Sequence, residues 1–238
     1  MALKGKTYLI TGGTGQLGRV VVQKFLADHA SVVVNYRSAN SFEALREATG
    51  ESPELWGVRE DLSQNSGVNH LFEQIGKEFR RLDGLIHLAG SFWSGVPVAH
   101  TPLEKWQEML NANLLTTFLC CRRAMQIFEN QKFGRIFAMG AATAMEYPAK
   151  MGAYAVSKVG VAALIEIIAR EAKPFGVSAH AILPTIIDTP ENRRAMPGAD
   201  RAEWVKPEAI ADVMLQICKG GSGETLIKMG GKKDENLS

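Results

Sequence analysis

The sequence predicts an α/β fold in which a parallel β-sheet is covered by helices on both faces. Short apolar runs alternate with helical patterns along the chain, and this alternation is typical of such folds. A glycine-rich turn directly follows the first apolar run, Thr7–Thr11, and a helical pattern comes next. With 238 residues and 46% hydrophobic content, the chain can bury one large core, so we expect a single domain over residues 1–238.

Seven apolar runs are predicted to form the strands, at residues 7–11, 31–35, 54–58, 84–89, 135–139, 178–183 and 225–228. Helical patterns fill the intervals between them, and the two longest cover residues 103–129 and 152–172. Pro174 and Gly176 end the second of these helices. The tail, residues 231–238, is polar and is expected to fray.

Composition excludes several classes of partner. The formal charge is +2, from 27 basic and 25 acidic residues, which argues against a nucleic acid or an anionic membrane as partner. The three cysteines, Cys120, Cys121 and Cys218, favour a reducing compartment over a disulfide framework. No segment has about 18 uninterrupted apolar residues, and no export signal is apparent. We expect a soluble, cytoplasmic protein without a metal site.

The first turn reads Thr11-Gly12-Gly13-Thr14-Gly15-Gln16-Leu17-Gly18 and lies between a predicted strand and a predicted helix. This context is required for a dinucleotide-binding turn. Glycines let the backbone turn sharply and approach a diphosphate closely, and the first amides of the helix hold its charge. A second strand follows the helix and completes a strand–helix–strand unit. The sequence therefore predicts a dinucleotide site here.

Tyr154 and Lys158 stand four residues apart in a predicted helix, which places them on one face. An unperturbed tyrosine loses its proton near pH ~10, and a nearby cation favours the phenolate. The pair is therefore predicted to donate and accept a proton near neutral pH. Taken alone, this spacing is also found in helices where the lysine only faces solvent.

The order of these motifs, with an acidic residue after the third strand and Ala-Gly after the fourth, resembles the short-chain dehydrogenase/reductase family over nearly the whole chain. The resemblance implies a doubly wound Rossmann fold with about seven strands. It also implies that Gly12, Gly15 and Gly18 form the phosphate turn. The turn spacing is that of the extended branch of the family, and Gln16 stands where the shorter branch usually has glycine.

Further cofactor contacts follow from the resemblance. Asp61, followed by Leu62, matches the acidic residue that binds the adenine amine, and Ala89 and Gly90 match small residues beside the cofactor ribose. A solvent-exposed role for Asp61 stays open. His87, just before them, replaces a usual asparagine and is left out of the predicted chemistry.

The residues after the second strand favour NADP over NAD. An acidic side chain there binds the ribose 2′-hydroxyl in NAD-dependent proteins. Here the run is Asn35-Tyr36-Arg37-Ser38, with no carboxylate. Arg37 can pair with a 2′-phosphate, and Thr14 and Ser38 can add hydroxyl donors. The alternative is that Arg37 lies over the adenine or faces solvent.

The resemblance also assigns residues around the nicotinamide. Asn113 matches the asparagine that positions a water next to the catalytic lysine, and Lys158 is expected to bind the ribose hydroxyls. Pro184 begins a turn in which the backbone of Ile187 contacts the carboxamide and the hydroxyl of Thr189 contacts the carboxamide or the pyrophosphate. Thr185 replaces the usual glycine after the proline.

One position departs from the family. Ala141 occupies the place of the serine that donates a hydrogen bond to the reacting oxygen. Three interpretations stay open. Thr143 substitutes for the serine; the substrate is activated, as in the dihydropteridine reductases, which also lack this serine and reduce a quinonoid dihydropterin; or the protein no longer catalyses and keeps its NADP site for sensing or assembly.

We predict an NADP-dependent oxidoreductase that acts on a small carbonyl, hydroxyl or activated ring substrate. Phe92, Trp93 and Tyr147 follow the fourth and fifth strands, and they are predicted either to line an apolar substrate pocket or to anchor packing. Residues 190–203 are expected to form a short lid. A homodimer or homotetramer is implied by the family, through the helices at 103–129 and 152–172.

Overall fold

Seven parallel strands form one sheet in the computed structural model, which describes residues 2–230. The strands are β1 (Thr7–Thr11), β2 (Ser31–Tyr36), β3 (Leu55–Arg59), β4 (Gly84–His87), β5 (Gly134–Met139), β6 (Val177–Pro184) and β7 (Leu226–Met229). Their order is β3-β2-β1-β4-β5-β6-β7, and every neighbouring pair is parallel. The predicted fold class is therefore confirmed, and the strand ends differ from the predicted ones by at most two residues.

Helices cover both faces of this sheet. They are α1 (Gln16–Ala27), α2 (Ala39–Ala48), α3 (Asn65–Glu78), α4 (Leu103–Met109), α5 (Thr116–Gln131), α6 (Gly152–Ala172), α7 (Pro190–Ala195) and α8 (Pro207–Cys218). Side chains of β1 alternate between the two cores, with Tyr8 and Ile10 in one and Leu9 in the other. The first core also contains residues of α1, α2 and α8, and the second contains residues of α3, α5 and α6.

The chain reverses its winding direction between β1 and β4. Strands β2 and β3 are added on one side of β1, and β4 to β7 on the other. In such sheets the helices on the two sides separate at this point and leave a crevice beyond the carboxyl ends of the strands. Ligands of doubly wound folds bind in this crevice, which is where the predicted glycine turn begins.

The long helix predicted over residues 103–129 is interrupted. One turn of π-helix, Leu110–Leu115, separates α4 from α5. The side chains of Thr116 and Thr117, which follow this turn, bond back to it. Their hydroxyls donate to the carbonyls of Ala112 and Asn113 at 2.8 and 2.6 Å. The apolar periodicity of the sequence did not reveal this turn, because a single π-helical turn changes the spacing of apolar residues only locally.

Helix α6 begins and ends where predicted. Together with the turn that follows it, Gly152–Phe175, it is long and apolar enough to cross a membrane by length and composition. Nine residues of α6 are buried and the helix packs along β6, so sheet packing accounts for its apolar face. The tail predicted at residues 231–238 lies outside the described residues.

Candidate functional site

The carboxyl ends of β1, β4 and β5 lie side by side at the centre of the sheet. Thr11 pairs with His87, and His87 pairs with Ala138 in the strand register. The loops that leave these three strands therefore meet at one edge. The glycine turn, the Ala89-Gly90 segment and the segment around Ala141 are brought together there, although they are far apart in the sequence.

Two glycines of the first turn are required by contacts within the protein. Gly12 has a φ of +67°, and a Cβ on it would lie 2.8 Å from the backbone nitrogen of Ala89. A Cβ on Gly18 would lie 2.1 Å from the carbonyl oxygen of Gly12. The turn, the start of α1 and the segment after β4 can pack together only because these side chains are absent.

The amino terminus of α1 is open on its outer side. Its N-cap residue, Gly15, provides no side-chain cap, and the first turn contains no acidic residue. The first amides of a helix lack intrahelical acceptors and bind phosphate groups readily. A Cβ on Gly15 would approach only the carbonyl oxygen of Gly12, at 3.3 Å. This backbone, flanked by Thr14, Gln16 and Leu17, fits the diphosphate of a dinucleotide.

We expect two alanine substitutions in this turn to have different effects. Gly18→Ala should lower the free energy of unfolding by about 1–3 kcal/mol or more, because its Cβ would overlap rigid backbone. Gly15→Ala should keep the stability of the protein, since its φ of −77° suits alanine. It should instead weaken dinucleotide binding about tenfold or more. Urea unfolding and NADPH titration of both variants measure this, and equal losses of stability would contradict a ligand-facing Gly15.

The ammonium group of Lys158 is buried at the centre of the site. Its Nζ donates a hydrogen bond to the carbonyl oxygen of Met139, the last residue of β5, at 2.8 Å. A Cβ on Gly90 would lie 3.4 Å from the same nitrogen. Burial lowers the pKa of Lys158 to about 8, because the charged form loses its water. Lys158 therefore changes charge close to physiological pH.

Tyr154 lies one helical turn before Lys158, whose Nζ is 6.0 Å from the centre of the phenol ring. Burial raises the pKa of Tyr154 to about 12, opposite to the lowering expected from a neighbouring cation. The physical reason is that Lys158 directs its ammonium group at Met139 while the phenol loses solvent. The structure brings the pair together, and activation of the phenol by Lys158 stays a prediction for the cofactor-bound protein.

Asn113 lies in the π-turn and is 1% exposed. Its Oδ1 accepts from Ser91 N at 2.8 Å, and its Nδ2 donates to Ser91 O at 3.0 Å and to Ser157 Oγ at 2.9 Å. Ser157 in turn donates to the carbonyl oxygen of Tyr154 at 2.7 Å. Both amide hydrogens are therefore used to hold the loop after β4 against α6. A water could reach the side chain only at the second lone pair of Oδ1.

His87 belongs to a buried hydrogen-bond chain. Its Nδ1 is 2.9 Å from Thr11 Oγ1, and its Nε2 is 3.2 Å from Thr116 Oγ1. Because the Thr116 hydroxyl donates to Ala112 O, Nε2 must carry the proton and Nδ1 must accept from Thr11. Burial and, to a smaller extent, the nearby charge of Lys158 lower the pKa of His87 to about 3. This neutral histidine links β1, β4 and the start of α5, as expected for a structural group.

Ala141 lies in an apolar cluster beside the phenol. It is 4% exposed and packs with Ala144, Ala155, Met151 and Tyr154. The methyl group of Ala141 therefore belongs to the same apolar cluster as the ring of Tyr154.

Thr143 starts the short 3₁₀ turn Thr143–Glu146 and is half-buried. Among residues 2–230, the hydrogen bonds found include none from its hydroxyl group. Ala144, the next residue, is the one that packs in the cluster beside Tyr154. Substitution of Thr143 for the family serine stays a prediction.

Aromatic side chains lie in the loops after β4 and β5, and one of them packs against Tyr154. Phe92 is 63% exposed and meets Tyr154 edge to face, with ring centres 4.8 Å apart. Tyr147 is 73% exposed and has a φ of +53°, which is unusual for an aromatic residue. Trp93 is half-buried in the same loop as Phe92. The loops after β4 and β5 are tied together by a hydrogen bond from Gly95 N to Lys150 O at 2.8 Å.

The predicted nicotinamide turn is held by the short helix α7. Thr189 caps this helix by accepting from Asn192 N at 3.2 Å, and Asn192 Nδ2 donates to Ile187 O at 2.8 Å. The carbonyl of Ile187 is therefore occupied, while its N–H has no acceptor among residues 2–230. Pro184, the last residue of β6, accepts from Ala142 N at 2.9 Å. Thr185 does not adopt a positive φ, so this turn accommodates threonine in place of glycine.

The residues predicted for the adenosine end lie at the carboxyl ends of β2 and β3. Asp61 Oδ1 accepts from the backbone and hydroxyl of Ser63, and these bonds, with a smaller effect of Arg37, hold the pKa of Asp61 below its usual value. Leu62 is buried in the core, so only its backbone can face a ligand. Arg37 is exposed, and Ser38 is the N-cap residue of α2.

Several residues that contact the predicted ones were not themselves predicted, and three of them bind through their side chains. They are Ser157, Asn192 and Arg59, the last of which donates to the carbonyl oxygen of Arg37 at 3.1 Å. Ser157 could have been found from its place between Tyr154 and Lys158. Arg59 carries no local signal, because its proximity to Arg37 comes from strand pairing.

The chain resembles known proteins over most of its length. The model of the short chain dehydrogenase family matches residues 6–199. A 3beta-hydroxysteroid dehydrogenase 1 from Eggerthella lenta is 32% identical over 227 residues, which are 93% of this chain and 82% of that protein. The 3-oxoacyl-[acyl-carrier-protein] reductase MabA of Mycobacterium avium is 28% identical over 192 residues, 81% of this chain and 71% of that protein.

A solved structure, that of ElxO with NADP bound, has the same fold. Its TM-score is 0.85 at 21% identity, and the alignment covers 96% of this chain and 97% of that one. The match to the family model includes both the glycine turn and the helix of Tyr154 and Lys158. The protein therefore belongs to the short-chain dehydrogenase family, whose members are oxidoreductases that use nicotinamide cofactors.

Proposed function

We propose that this protein is an NADP(H)-dependent oxidoreductase that interconverts a ketone and a secondary alcohol on an apolar, ring-containing substrate. The observation that carries the proposal is the arrangement of Lys158, Tyr154 and Asn113 beside Gly90 and opposite the glycine turn. A proton donor, a buried cation and an open phosphate-binding backbone lie at one edge of the sheet. Structural packing alone does not require a buried ammonium group there.

In this proposal each part of the site holds one part of the cofactor. The open amides of α1 hold the diphosphate, Arg37 and Ser38 hold the 2′-phosphate, and Asp61 binds the adenine. The free N–H of Ile187 and the hydroxyl of Thr189 bind the carboxamide, and Lys158 binds the nicotinamide ribose. When bound, the cofactor supplies or accepts a hydride. That ElxO binds NADP in a similar fold supports the choice of cofactor.

Tyr154 donates and accepts the proton of the reaction. In the direction of reduction its phenol donates a proton to the substrate oxygen, and in the direction of oxidation its phenolate takes the proton from the alcohol. The positive charge of Lys158 stabilises the phenolate that remains after donation. Asn113 keeps α6 in place through Ser157, so that the phenol of Tyr154 and the ammonium of Lys158 keep their positions relative to each other.

The lining of the entrance supports an apolar substrate. Phe92 and Tyr147 present exposed rings, and Val98, packed near Gly152, is 71% exposed. Exposed apolar groups around a site are typical of binding surfaces for ring systems. The relative from Eggerthella lenta, which is named for a hydroxysteroid, supports a flat ring substrate here as well. The segment 190–203, which begins with α7, is proposed to cover it.

A second candidate is the reduction of an activated, quinonoid ring, as in the dihydropteridine reductases. The apolar cluster of Ala141, Ala144 and Ala155 favours it, because no serine hydroxyl assists polarisation of a simple carbonyl. A nicotinamide-binding protein without turnover is the alternative outside catalysis. We also propose a homodimer or homotetramer through α4, α5 and α6, since Phe118, Val156 and Ile167 are exposed on α5 and α6.

The test is to mix the protein with NADPH and a panel of ketosteroids, simple ketones, quinones and quinonoid dihydropterins. The loss of reduced-cofactor absorbance measures turnover. Consumption with ketosteroids supports the first candidate, and consumption with quinones or dihydropterins alone supports the second. Tight NADPH binding with no consumption across the panel would leave a sensor or assembly protein.

Ala141→Ser separates the two catalytic candidates. If simple ketones are substrates, we expect the added hydroxyl to raise kcat about tenfold or more, because one donor aimed at a developing oxyanion is worth roughly 10²–10³ in rate. Serine adds one oxygen atom, and Ala144→Ser in the same cluster serves as the matched control. An unchanged or lower rate would favour a substrate that does not need this hydrogen bond.

A further inference from the structure

Two arginines meet at the carboxyl ends of β2 and β3. Arg59, the last residue of β3, is paired in register with Tyr36, and Arg37 follows Tyr36 directly. The Nε of Arg59 donates to the carbonyl oxygen of Arg37 at 3.1 Å. Both side chains are exposed, and neither takes part in an ion pair among residues 2–230. The side chain of Arg59 therefore lies against the backbone of Arg37, and neither arginine is paired with a carboxylate within the described range.

The side of the sheet on which Arg59 lies follows from the alternation of side chains. Residues 57 and 59 share one face of β3. On this face Phe42 of α2 covers Gly57, where a Cβ would lie 2.2 Å from Phe42 Cζ, and Phe42 stacks on Tyr36 with ring centres 4.5 Å apart. Arg59 is thus on the face that α2 covers, at the edge where α2 begins.

The start of α2 contributes further donors. Ser38, its N-cap residue, makes no side-chain capping hydrogen bond, and the first turn contains no acidic residue. The first amides of this ten-residue helix lack intrahelical acceptors. The nearby carboxylate, Asp61, directs Oδ1 at Ser63 and forms no ion pair with Arg37 within 4 Å. This corner therefore combines two guanidinium groups, a hydroxyl and free amides.

We propose that Arg59 is a second specificity-determining residue, which binds the 2′-phosphate of NADP(H) together with Arg37. The inference rests on the proposed function, in which this corner receives the adenosine end of the cofactor. A phosphate monoester offers three acceptor oxygens and close to two negative charges, which suits two planar guanidinium groups. The 2′-hydroxyl of NADH would leave both cations unpaired. The bond from Arg59 to the Arg37 carbonyl also holds the loop that carries the second guanidinium.

Arg59→Met tests the proposal, because it removes the guanidinium group and keeps an apolar stem. The full-length protein is titrated with NADPH, NADH, adenosine 2′,5′-bisphosphate and adenosine 5′-monophosphate. We expect the Kd for the two 2′-phosphorylated ligands to rise about tenfold or more, as for loss of a hydrogen bond to a charged group. The other two Kd values should change less than about twofold. Added salt should weaken NADPH binding less in the variant.

Arg46→Met is the matched control, since Arg46 is a partly exposed arginine in the last turn of the same helix, α2. It removes the same charge and should leave all four Kd values unchanged. If Arg59→Met weakened the binding of NADPH and of NADH equally, Arg59 would only hold the loop. This result would overturn the inference. Unchanged NADPH binding would overturn it too. If the unmodified protein binds neither dinucleotide, the proposed function itself fails.

Discussion

Tyr154→Phe is expected to reduce kcat/KM by roughly 10²–10⁴, the range that general acid–base catalysis contributes. Phenylalanine retains the ring that meets Phe92 at 4.8 Å and lacks only the hydroxyl that carries the proton. The Kd for NADPH and the free energy of unfolding should therefore stay close to those of the unmodified protein. Steady-state rates with the best substrate of the panel, NADPH titration and urea unfolding measure the three quantities.

Phe92→Leu is a useful control for this experiment. It removes the neighbouring ring and leaves the hydroxyl of Tyr154 in place, so it should change KM more than kcat. Retention of full activity in Tyr154→Phe would show that the proton comes from another group. Loss of NADPH binding in that variant would instead assign the phenol to cofactor binding.

Lys158→Met is expected to lower kcat/KM by roughly 10²–10³, since the stabilising charge next to the phenolate is lost. The dependence of the reduction rate on pH in the unmodified protein should show the same requirement for a charged Lys158. Reduction should slow as the pH rises through about 8, the pKa of Lys158, because the ammonium loses its charge there. In Lys158→Met the residual rate of reduction should not fall as the pH rises from 6 to 10.

The same substitution is expected to change the stability in a pH-dependent way. The pKa of Lys158 falls from 10.5 to about 8 on folding, so the folded protein disfavours the charged form by about 3 kcal/mol. This penalty is absent above pH 10.5, grows as the pH falls to about 8, and is constant below. The unmodified protein therefore gains up to about 3 kcal/mol from Lys158 as the pH rises through this window, and the variant does not.

Urea unfolding of both proteins at pH 7 and pH 10.5 isolates the contribution of Lys158. At pH 7 the variant should be as stable as the unmodified protein or more stable by about 1–2 kcal/mol, since relief of the buried charge exceeds the lost hydrogen bond to Met139. At pH 10.5 it should be the less stable protein. A stability difference that does not vary with pH would mean that Lys158 keeps an ordinary pKa.

Much of the fold could be predicted because its signals are local. The run Thr7–Thr11 is apolar over one strand length and is followed by glycines, and α6 shows its boundaries through the proline and glycine after it. The π-turn at Leu110–Leu115 was missed, since a change from one helical hydrogen-bond pattern to another leaves the apolar periodicity almost unaltered. The position of Asn113 is therefore a property of packing that its spacing does not reveal.

The sequence predicted only part of the candidate site, both around Tyr154 and Lys158 and at the adenosine end. The pairing of Tyr154 and Lys158 could be read from a four-residue spacing, but the direction of the Tyr154 pKa could not. That direction depends on burial and on the carbonyl of Met139, which lies 19 residues before the lysine. At the adenosine end, Arg37 was recognised beside its strand, whereas Arg59 was not, because 22 residues separate it from Arg37.

By itself, the sequence determined the parallel α/β fold, the glycine turn after β1 and the helical pair of Tyr154 and Lys158. These depend on periodicity, on missing side chains and on spacing within one helix, all of which are properties of neighbouring residues. Only the tertiary structure decided that Lys158 binds Met139, that Asn113 braces α6 through Ser157, and that Arg59 joins Arg37. Each of these contacts joins segments that the parallel strand order brings to one edge, where burial rather than residue type sets charge and hydrogen bonding.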